Sequence, residues 1–178
     1  MRVIAGNARG RRLLTPPGDR VRPTLDRVRE ALFNILAPQL PGARFLDLFA
    51  GSGANGIEAL SRGAAEAVFV DDHPQSLACL EKNLETTGFK PQSRVLRYRL
   101  PEDLARISGP FDCIFADPPH GFAQYPELLA AIDEARLLRE GGTLVMEHAR
   151  RHPLPEAAGK LTRTRERHYG MTTLSFYA

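Results

Sequence analysis

Residues 45–56 read FLDLFAGSGANG, an apolar run that opens into a glycine-rich turn. A buried strand over 45–50, then Gly51-Ser52-Gly53, then a helix near Gly56–Ser61, is the opening of an α/β nucleotide-binding unit. Glycines there let the backbone turn sharply and let a ligand touch main chain. The spacing Gly51-x-Gly53-x-x-Gly56 is that of a dinucleotide site, and α/β proteins of many kinds share it. Two acids sharpen the reading. Asp47 stands at the strand end, four residues before the first glycine. A carboxylate there would repel a pyrophosphate and welcome an ammonium or sulfonium group. Asp71 ends the next strand, where an acid accepts hydrogen bonds from ribose hydroxyls. A nucleoside with a cationic tail suits both acids, and S-adenosylmethionine is such a molecule.

Downstream, the pattern alternates. AVFVD (67–71), Arg94–Tyr98, FDCIFAD (111–117) and Gly142–Glu147 read as strands. Helices are expected from Pro74 to about Thr87 and over Tyr125–Ala135. Near-continuous apolar strands separated by helices predict a mostly parallel sheet covered on both faces. Thr162–His168 and Thr172–Tyr177, joined through Tyr169-Gly170-Met171, read as a closing hairpin. Upstream, Arg2–Ala5 and Arg11–Thr15 read as two short strands around a Gly6-Asn7 turn. Pro16, Pro17, Gly18 and Pro23 mark a loop, and Thr24 is a fair N-cap for a helix from about Leu25 to Leu36.

The composition fits one globular domain: 178 residues, 43% hydrophobic and 25% charged. No stretch approaches the roughly 20 apolar residues of a membrane span. The opening MRVIAGNARGRR has no apolar segment of the secretory type, so a cytoplasmic protein is expected. Cys79 and Cys113 form no metal or redox spacing and read as packing residues, and no metal is expected. The net charge of +3 hides three blocks. Residues 1–30 carry eight arginines, no lysine and three acids, a balance of +5. Residues 31–147 carry −6 and residues 148–178 carry +4. Basic ends around an acidic middle suit a polyanion held by the ends, although solvated basic tails are also common. Arginine offers a flat fork for phosphate and stacks on bases.

The second motif is ADPPH, Ala116 to His120, at the end of the fourth strand of the alternating unit. Pro118 and Pro119 have fixed φ and donate no N–H, so they make a stiff ledge. The Asp117 carboxylate and the Pro118 carbonyl could then accept hydrogens from one planar exocyclic amine, and His120 could stack on its base. Glu147-His148, at the end of the fifth strand, reads as a solvated strand end.

DLFAGSG with DPP resembles the class I methyltransferases that alkylate amino groups of nucleic acid bases. Arg9-Gly10-Arg11-Arg12, Arg22-Pro23-Thr24, Asp26-Arg27-Val28-Arg29-Glu30 and Leu32-Phe33-Asn34 narrow the resemblance, as do Glu58 to Ala64 and Tyr169-Gly170. They resemble the bacterial 16S ribosomal RNA guanine-N2 methyltransferase family, RsmD, over almost the whole chain. That resemblance implies methylation of guanine-966 with S-adenosylmethionine as the methyl donor. It implies an α/β, Rossmann-like fold with a mostly parallel seven-stranded sheet, helices on both faces and an N-terminal β-hairpin. Residues 1–178 would form one domain, with 1–23 as a basic arm and 24–178 as the catalytic core. Asp47, Phe49, Ala50, Gly51, Ser52 and Gly53 would line the cofactor site, with Asp71 and Asp72 at the ribose. Asp117, Pro118, Pro119 and His120 would hold the target base. Arg2, Arg9, Arg11, Arg12, Arg22 and Arg27 would grip RNA. The partner would be 16S rRNA, the small subunit or an assembly intermediate, and the protein would act as a monomer away from membranes.

The sequence departs from the family in several places. His120 stands where Phe or Tyr is usual, so Phe122 or Tyr125 could cover the base instead. Asn55 replaces an apolar residue, and Asp72-His73 replaces an acid-x-Asp pattern. Arg99 occupies the place of an acceptor for adenine N6 and cannot accept, while Asp103 could reach back. Two alternatives therefore stand beside the rRNA enzyme. One is an amino-methyltransferase for another base of RNA or DNA. The other is a catalytically impaired RNA-binding assembly factor.

Overall fold

The computed structural model describes residues 1–16 and 23–178, with backbone alone for Pro23, Thr24 and Leu25. Arg22 and the Pro17-Gly18 part of the expected loop lie outside the described residues. Helix α1 spans Pro23–Leu36 and starts two residues before the expected Leu25. Proline suits a first helical position, because the N–H it lacks would have no helical partner. Thr24 is therefore inside the first turn and not its cap.

Strands and helices then alternate as β1 (Arg44–Leu48), α2 (Ala54–Ser61), β2 (Glu66–Asp71), α3 (Pro74–Thr87), β3 (Ser93–Arg97), β4 (Phe111–Ala116), α4 (Tyr125–Glu134) and β5 (Leu138–Ala149). The chain closes with β6 (Ala157–Ala158), β7 (Leu161–Tyr169) and β8 (Thr172–Tyr177). The strand order is β3-β2-β1-β4-β5-β8-β7-β6. Strands β1 to β5 pair in parallel, and β8, β7 and β6 add antiparallel. The expected seven strands become eight through the two-residue β6 at the edge. Strand β5 runs well beyond the expected Gly142–Glu147, with a register shift against β4 between Phe111 and Cys113.

Alternation along each strand feeds two cores, one per face. Phe45, Phe69, Cys113, Phe115 and Val145 join one cluster with Val28, Leu32 and Phe33 of α1 and Leu80 and Leu84 of α3. Leu46, Leu48, Val70, Ile114 and Met146 join the other with Leu128, Leu129 and Ile132 of α4. A sheet buried on both faces has no use for polar alternation, which is why its strands read as apolar runs. Cys79 and Cys113 are buried, and burial pushes the Cys113 thiol up to about 12.

The two N-terminal strands shrink to one antiparallel bridge, Arg2 with Arg12. Val3 N–H donates to Arg11 O and Leu13 N–H to Met1 O, both at 2.9 Å. Beyond that the backbone finds side chains. Ile4 and Ala5 N–H donate to the Glu58 carboxylate at 2.7 and 3.0 Å, and Leu14 N–H donates to Asn83 Oδ1 at 2.8 Å. The amides that a longer ladder would use are already satisfied, so strand pairing stops. Val3, Ala8 and Leu13 bury into the first cluster, which makes the arm part of the packed body.

Candidate active site

The strand order reverses between β1 and β4, and open α/β sheets bind ligands outside the strand ends at such a switch point. A cleft of about 670 Å³ lies there, a usual size for a small-molecule site. It brings Phe49, Ala50, Gly51 and Ser52 together with Asp71 and Asp72, and places Asp117, Pro118, Pro119 and His120 on the same wall. Residues from two distant parts of the chain thus meet around one space.

The glycine turn is built by β1 ending at Leu48. Phe49 follows at φ 59°, Gly51 at φ 55° and Gly53 at φ 77°. Such angles are natural for glycine and costly for phenylalanine. The Phe49 ring is held by an edge contact with Phe122, at 5.4 Å between centroids. The three glycines do different things. A Cβ on Gly53 would overlap Leu80, and one on Gly56 would overlap Phe69. A Cβ on Gly51 would meet nothing within 4 Å. Gly53 and Gly56 let α2 and α3 close on the sheet, and Gly51 faces the cleft.

Asp71 bridges the end of β2 to the turn. Its Oδ2 accepts from Gly51 N–H at 2.8 Å and its Oδ1 from His73 N–H at 2.9 Å. Each carboxylate oxygen retains a lone pair that a hydroxyl could use.

Asp47 corrects the sequence reading, which put it on the cleft wall. Its register partners are Phe69 on β2 and Phe115 on β4, so it points into the first cluster, 1% exposed. Oδ2 accepts from Gly56 N–H at 2.8 Å and thereby pins the start of α2. Oδ1 is buried with no hydrogen-bond partner among the described residues. Burial pushes the carboxyl well above its ordinary range, opposed by the Gly56 bond and reinforced by the charges of Asp117 and Asp71.

The Asp117-Pro118-Pro119-His120 ledge follows β4. Asp117, Pro119 and His120 are exposed and Pro118 is buried. Pro119 O accepts from Phe122 N–H at 3.0 Å, which folds the ledge back. Phe122 and Tyr125 are not cleft-lining residues. They continue an aromatic ladder, Phe49–Phe122–Tyr125–His148, with centroid spacings of 5.4, 5.1 and 6.3 Å.

Glu147 and His148 are not a solvated strand end. His148 is 5% exposed, with Nε2 2.8 Å from Ser175 Oγ. Glu147 lines the cleft. Burial and then the Asp117 charge push its carboxyl well above the usual range. Both carboxylates act on Tyr125, whose hydroxyl is pushed up by burial first and by Asp117 and Glu147 after it. In the sequence, Glu147 follows an apolar run like any strand end, and nothing local marks it.

Arg99 and Asp103 are absent from the cleft lining. Asp103 accepts from Arg99 N–H at 2.9 Å and pairs with Arg106 at 3.1 Å, which closes a turn of its own. The RNA candidates separate. Arg2, Arg9 and Arg27 line a second cleft of about 440 Å³ beside Asp26 and Glu30. Arg11 donates to Thr86 O at the end of α3 at 2.9 Å, and Arg12 is exposed. Arg29, two residues from Arg27, turns inward instead. It is 6% exposed, donates to Arg2 O at 2.6 Å and pairs with Asp26 at 3.1 Å.

Comparisons with known proteins match the chain along its whole length. The family described as Conserved hypothetical protein 95 matches residues 1–178. YlbH of Bacillus subtilis is 42% identical over 180 residues, covering 99% of this chain and 98% of that protein. Ribosomal RNA small subunit methyltransferase D of Escherichia coli K12 is 36% identical over 177 residues, covering 99% of this chain and 89% of that protein. The solved structure of yhhF from Escherichia coli superposes with a TM-score of 0.88 at 33% identity, covering 99% of this chain and 96% of that one. The chain belongs to the Conserved hypothetical protein 95 family, that of the ribosomal RNA small subunit methyltransferases D.

Proposed function

We propose that this enzyme transfers a methyl group from S-adenosylmethionine to the exocyclic N2 of a guanine in 16S rRNA, guanine-966 by family resemblance. One observation carries the reading: a single cleft joins the glycine turn and Asp71 to the Asp117-Pro118-Pro119 ledge. The residues present suit the cofactor. Gly51 offers open main chain, and Asp71, Asp72, Asp117 and Glu147 make the wall acidic. Asp71 and Asp72 would hold the ribose. Phe49, Ala50, Gly51 and Ser52 would line the rest, with Gly53 shaping the turn behind them. Asp47 would act from beneath, by holding the Gly56 N–H at the start of the helix that follows the turn. When bound, the cofactor supplies a methyl group on a positively charged sulfur.

The chain's own part is placement and charge. Asp117 and the Pro118 carbonyl accept the two amine hydrogens and aim the nitrogen lone pair along the carbon–sulfur axis. His120 covers the base, which must leave its stack at a cost of a few kcal/mol. Positioning of this kind is worth up to ~7–11 kcal/mol. Asp117 also faces the positive charge that grows on nitrogen. In this reading residues 24–178 are the catalytic core. Residues 1–23 are an arm whose arginines, with Arg27, contact phosphate on 16S rRNA, within the small subunit or an assembly intermediate. The enzyme works as a cytoplasmic monomer.

The test is tritium transfer from S-adenosylmethionine into small-subunit particles that lack the modification, followed by nucleoside analysis. Label in N2-methylguanosine is expected. Label in another nucleoside would move the acceptor. Absence of transfer with cofactor still bound would leave an RNA-binding factor. Asp117→Ala is expected to abolish transfer while leaving cofactor affinity within about threefold, a difference under 1 kcal/mol. Equal loss of both would overturn the role given to Asp117.

A further inference from the structure

The carboxyl edge of the sheet carries an acid that the amine-holding ledge does not account for. Val70, Leu48, Ala116 and Met146 form one register row across β2, β1, β4 and β5. One residue further along each strand come Asp71, Phe49, Asp117 and Glu147. Strands β4 and β5 are direct neighbours up to the pair Ala116 and Met146, where strand backbones run about 4.8 Å apart, and Asp117 and Glu147 are the next residue on each. Both line the same cleft. Asp117 lies towards β1 and the glycine turn, and Glu147 lies one strand beyond it.

We propose that Glu147 is the proton acceptor of the reaction, taking the hydrogen that the target amine must lose. This rests on the amine-methylation reading above and adds to it. The reaction requires such an acceptor. The amine nitrogen forms a bond to the methyl carbon as the carbon–sulfur bond breaks, with its electron pair left on sulfur. Nitrogen then carries a positive charge. It becomes neutral when one N–H bond breaks, its electron pair stays on nitrogen and the proton moves to a Glu147 oxygen. Neutral Glu147 returns that proton to water before the next cycle.

The division of labour follows from the surroundings. Asp117 is exposed, so water competes for its charge. Glu147 is half-buried beside another negative group, and both effects raise its basicity. A proton acceptor works best when its pKa lies near the working pH. The other titratable groups around the cleft are the Met1 amino group, His120 on the ledge, Asp71 at the end of β2, Asp72 and His73 after it, Arg29 from α1, and Asp47 beneath the floor. Tyr125 of α4 lies within reach of both carboxylates. The register partner of Glu147 on β8 is the apolar Leu174.

The test compares wild type with Glu147→Gln, which keeps size and hydrogen bonding. Single-turnover methyl transfer to unmodified small-subunit particles is followed across pH, with cofactor affinity measured by calorimetry. The wild-type rate is expected to fall on the acid side with an apparent pKa belonging to the Asp117–Glu147 pair. Glu147→Gln is expected to be slower by about 100-fold, the low end for a positioned proton acceptor. Its acid limb moves to lower pH, and its cofactor affinity is unchanged. A carbon NMR titration without cofactor gives a second readout: a side-chain signal titrating above the usual carboxylate range and missing from Glu147→Gln. An unchanged rate would overturn the proposal and leave the amine reading intact. A slower rate with an unmoved limb, or a loss explained by cofactor affinity, would also overturn it. Absence of transfer by the wild type would overturn both.

Discussion

At Asp47 one carboxylate has two consequences of opposite sign. Its Oδ2 ties down Gly56 N–H, while Oδ1 is buried with no hydrogen-bond partner among the described residues. A carboxyl whose pKa is raised on folding stabilises the fold below its unfolded pKa, and that contribution is lost as pH rises through the folded pKa. At neutral pH the buried Asp47 carboxyl is therefore a cost. Asp47→Asn keeps an acceptor for Gly56 and removes the charge. Its melting temperature is expected to equal or exceed that of wild type at pH 7, with the advantage vanishing below about pH 4, where the unfolded carboxyl is protonated. Cofactor affinity should change by less than about threefold, under 1 kcal/mol, by calorimetry, because Asn keeps the bond that shapes the turn. A neighbouring pair separates packing from binding. Gly51→Ala is expected to fold at a cost of about 1 kcal/mol, because φ is positive and the space is open, and to lose cofactor affinity. Gly53→Ala forces its Cβ into Leu80 and should cost several kcal/mol in urea unfolding.

The arm and α2 form a single mechanical element. Glu58 is fully buried and accepts from Ile4 and Ala5 N–H while pairing with Arg62 at 2.7 Å. Ser61 Oγ accepts from Ala8 N–H at 2.9 Å and donates to Ala5 O at 2.6 Å. Gly6 passes so close to Ser61 that any Cβ would overlap its carbonyl. On the other side, Asn83 of α3 donates to Leu14 O at 3.0 Å and to Ser52 O at 2.9 Å. One side chain thus joins the arm to the glycine turn. Glu58→Ala leaves two amides and Arg62 without their acceptor. A loss of about 3–5 kcal/mol is expected. Hydrogen exchange should then show faster exchange at Ile4 and Ala5 than at the β1 amides. RNA affinity should drop further than cofactor affinity, because the arm carries the arginines and the turn is anchored separately by Asp47 and Asp71.

Across the whole molecule, charge sorts by position. The described part of the +5 block at residues 1–30 lies in the arm and the start of α1, the −6 block holds the cleft acids, and the +4 block holds the closing hairpin. If the arm holds RNA, affinity should fall linearly with the logarithm of salt, by roughly 0.7–0.9 per phosphate contact. The triple variant Arg9→Ala, Arg12→Ala, Arg27→Ala should flatten that slope by about 2–3 units in a titration of RNA binding, with the melting temperature little changed. The three arginines are exposed, without ion pairs among the described residues. The α/β class, the presence of β1 to β5, the glycine turn and the Asp117 ledge were all legible in the chain. Each is written in a short stretch whose spacing is itself the cause: apolar runs for buried strands, glycine for positive φ, proline for a rigid ledge. Three features were not legible. The pairing of β4 with β5 sets Glu147 beside Asp117, although the two are far apart in sequence and Glu147 has no local signature. The burial of Asp47 depends on which way one strand residue faces once Phe69 and Phe115 are its neighbours. The short arm pairing depends on Glu58 and Asn83 reaching amides more than fifty residues away. Local sequence determined which elements form and what chemistry they carry. Only the tertiary structure decided which charges share a space, because burial and distance set the energy of a charge and neither is a property of the residue alone.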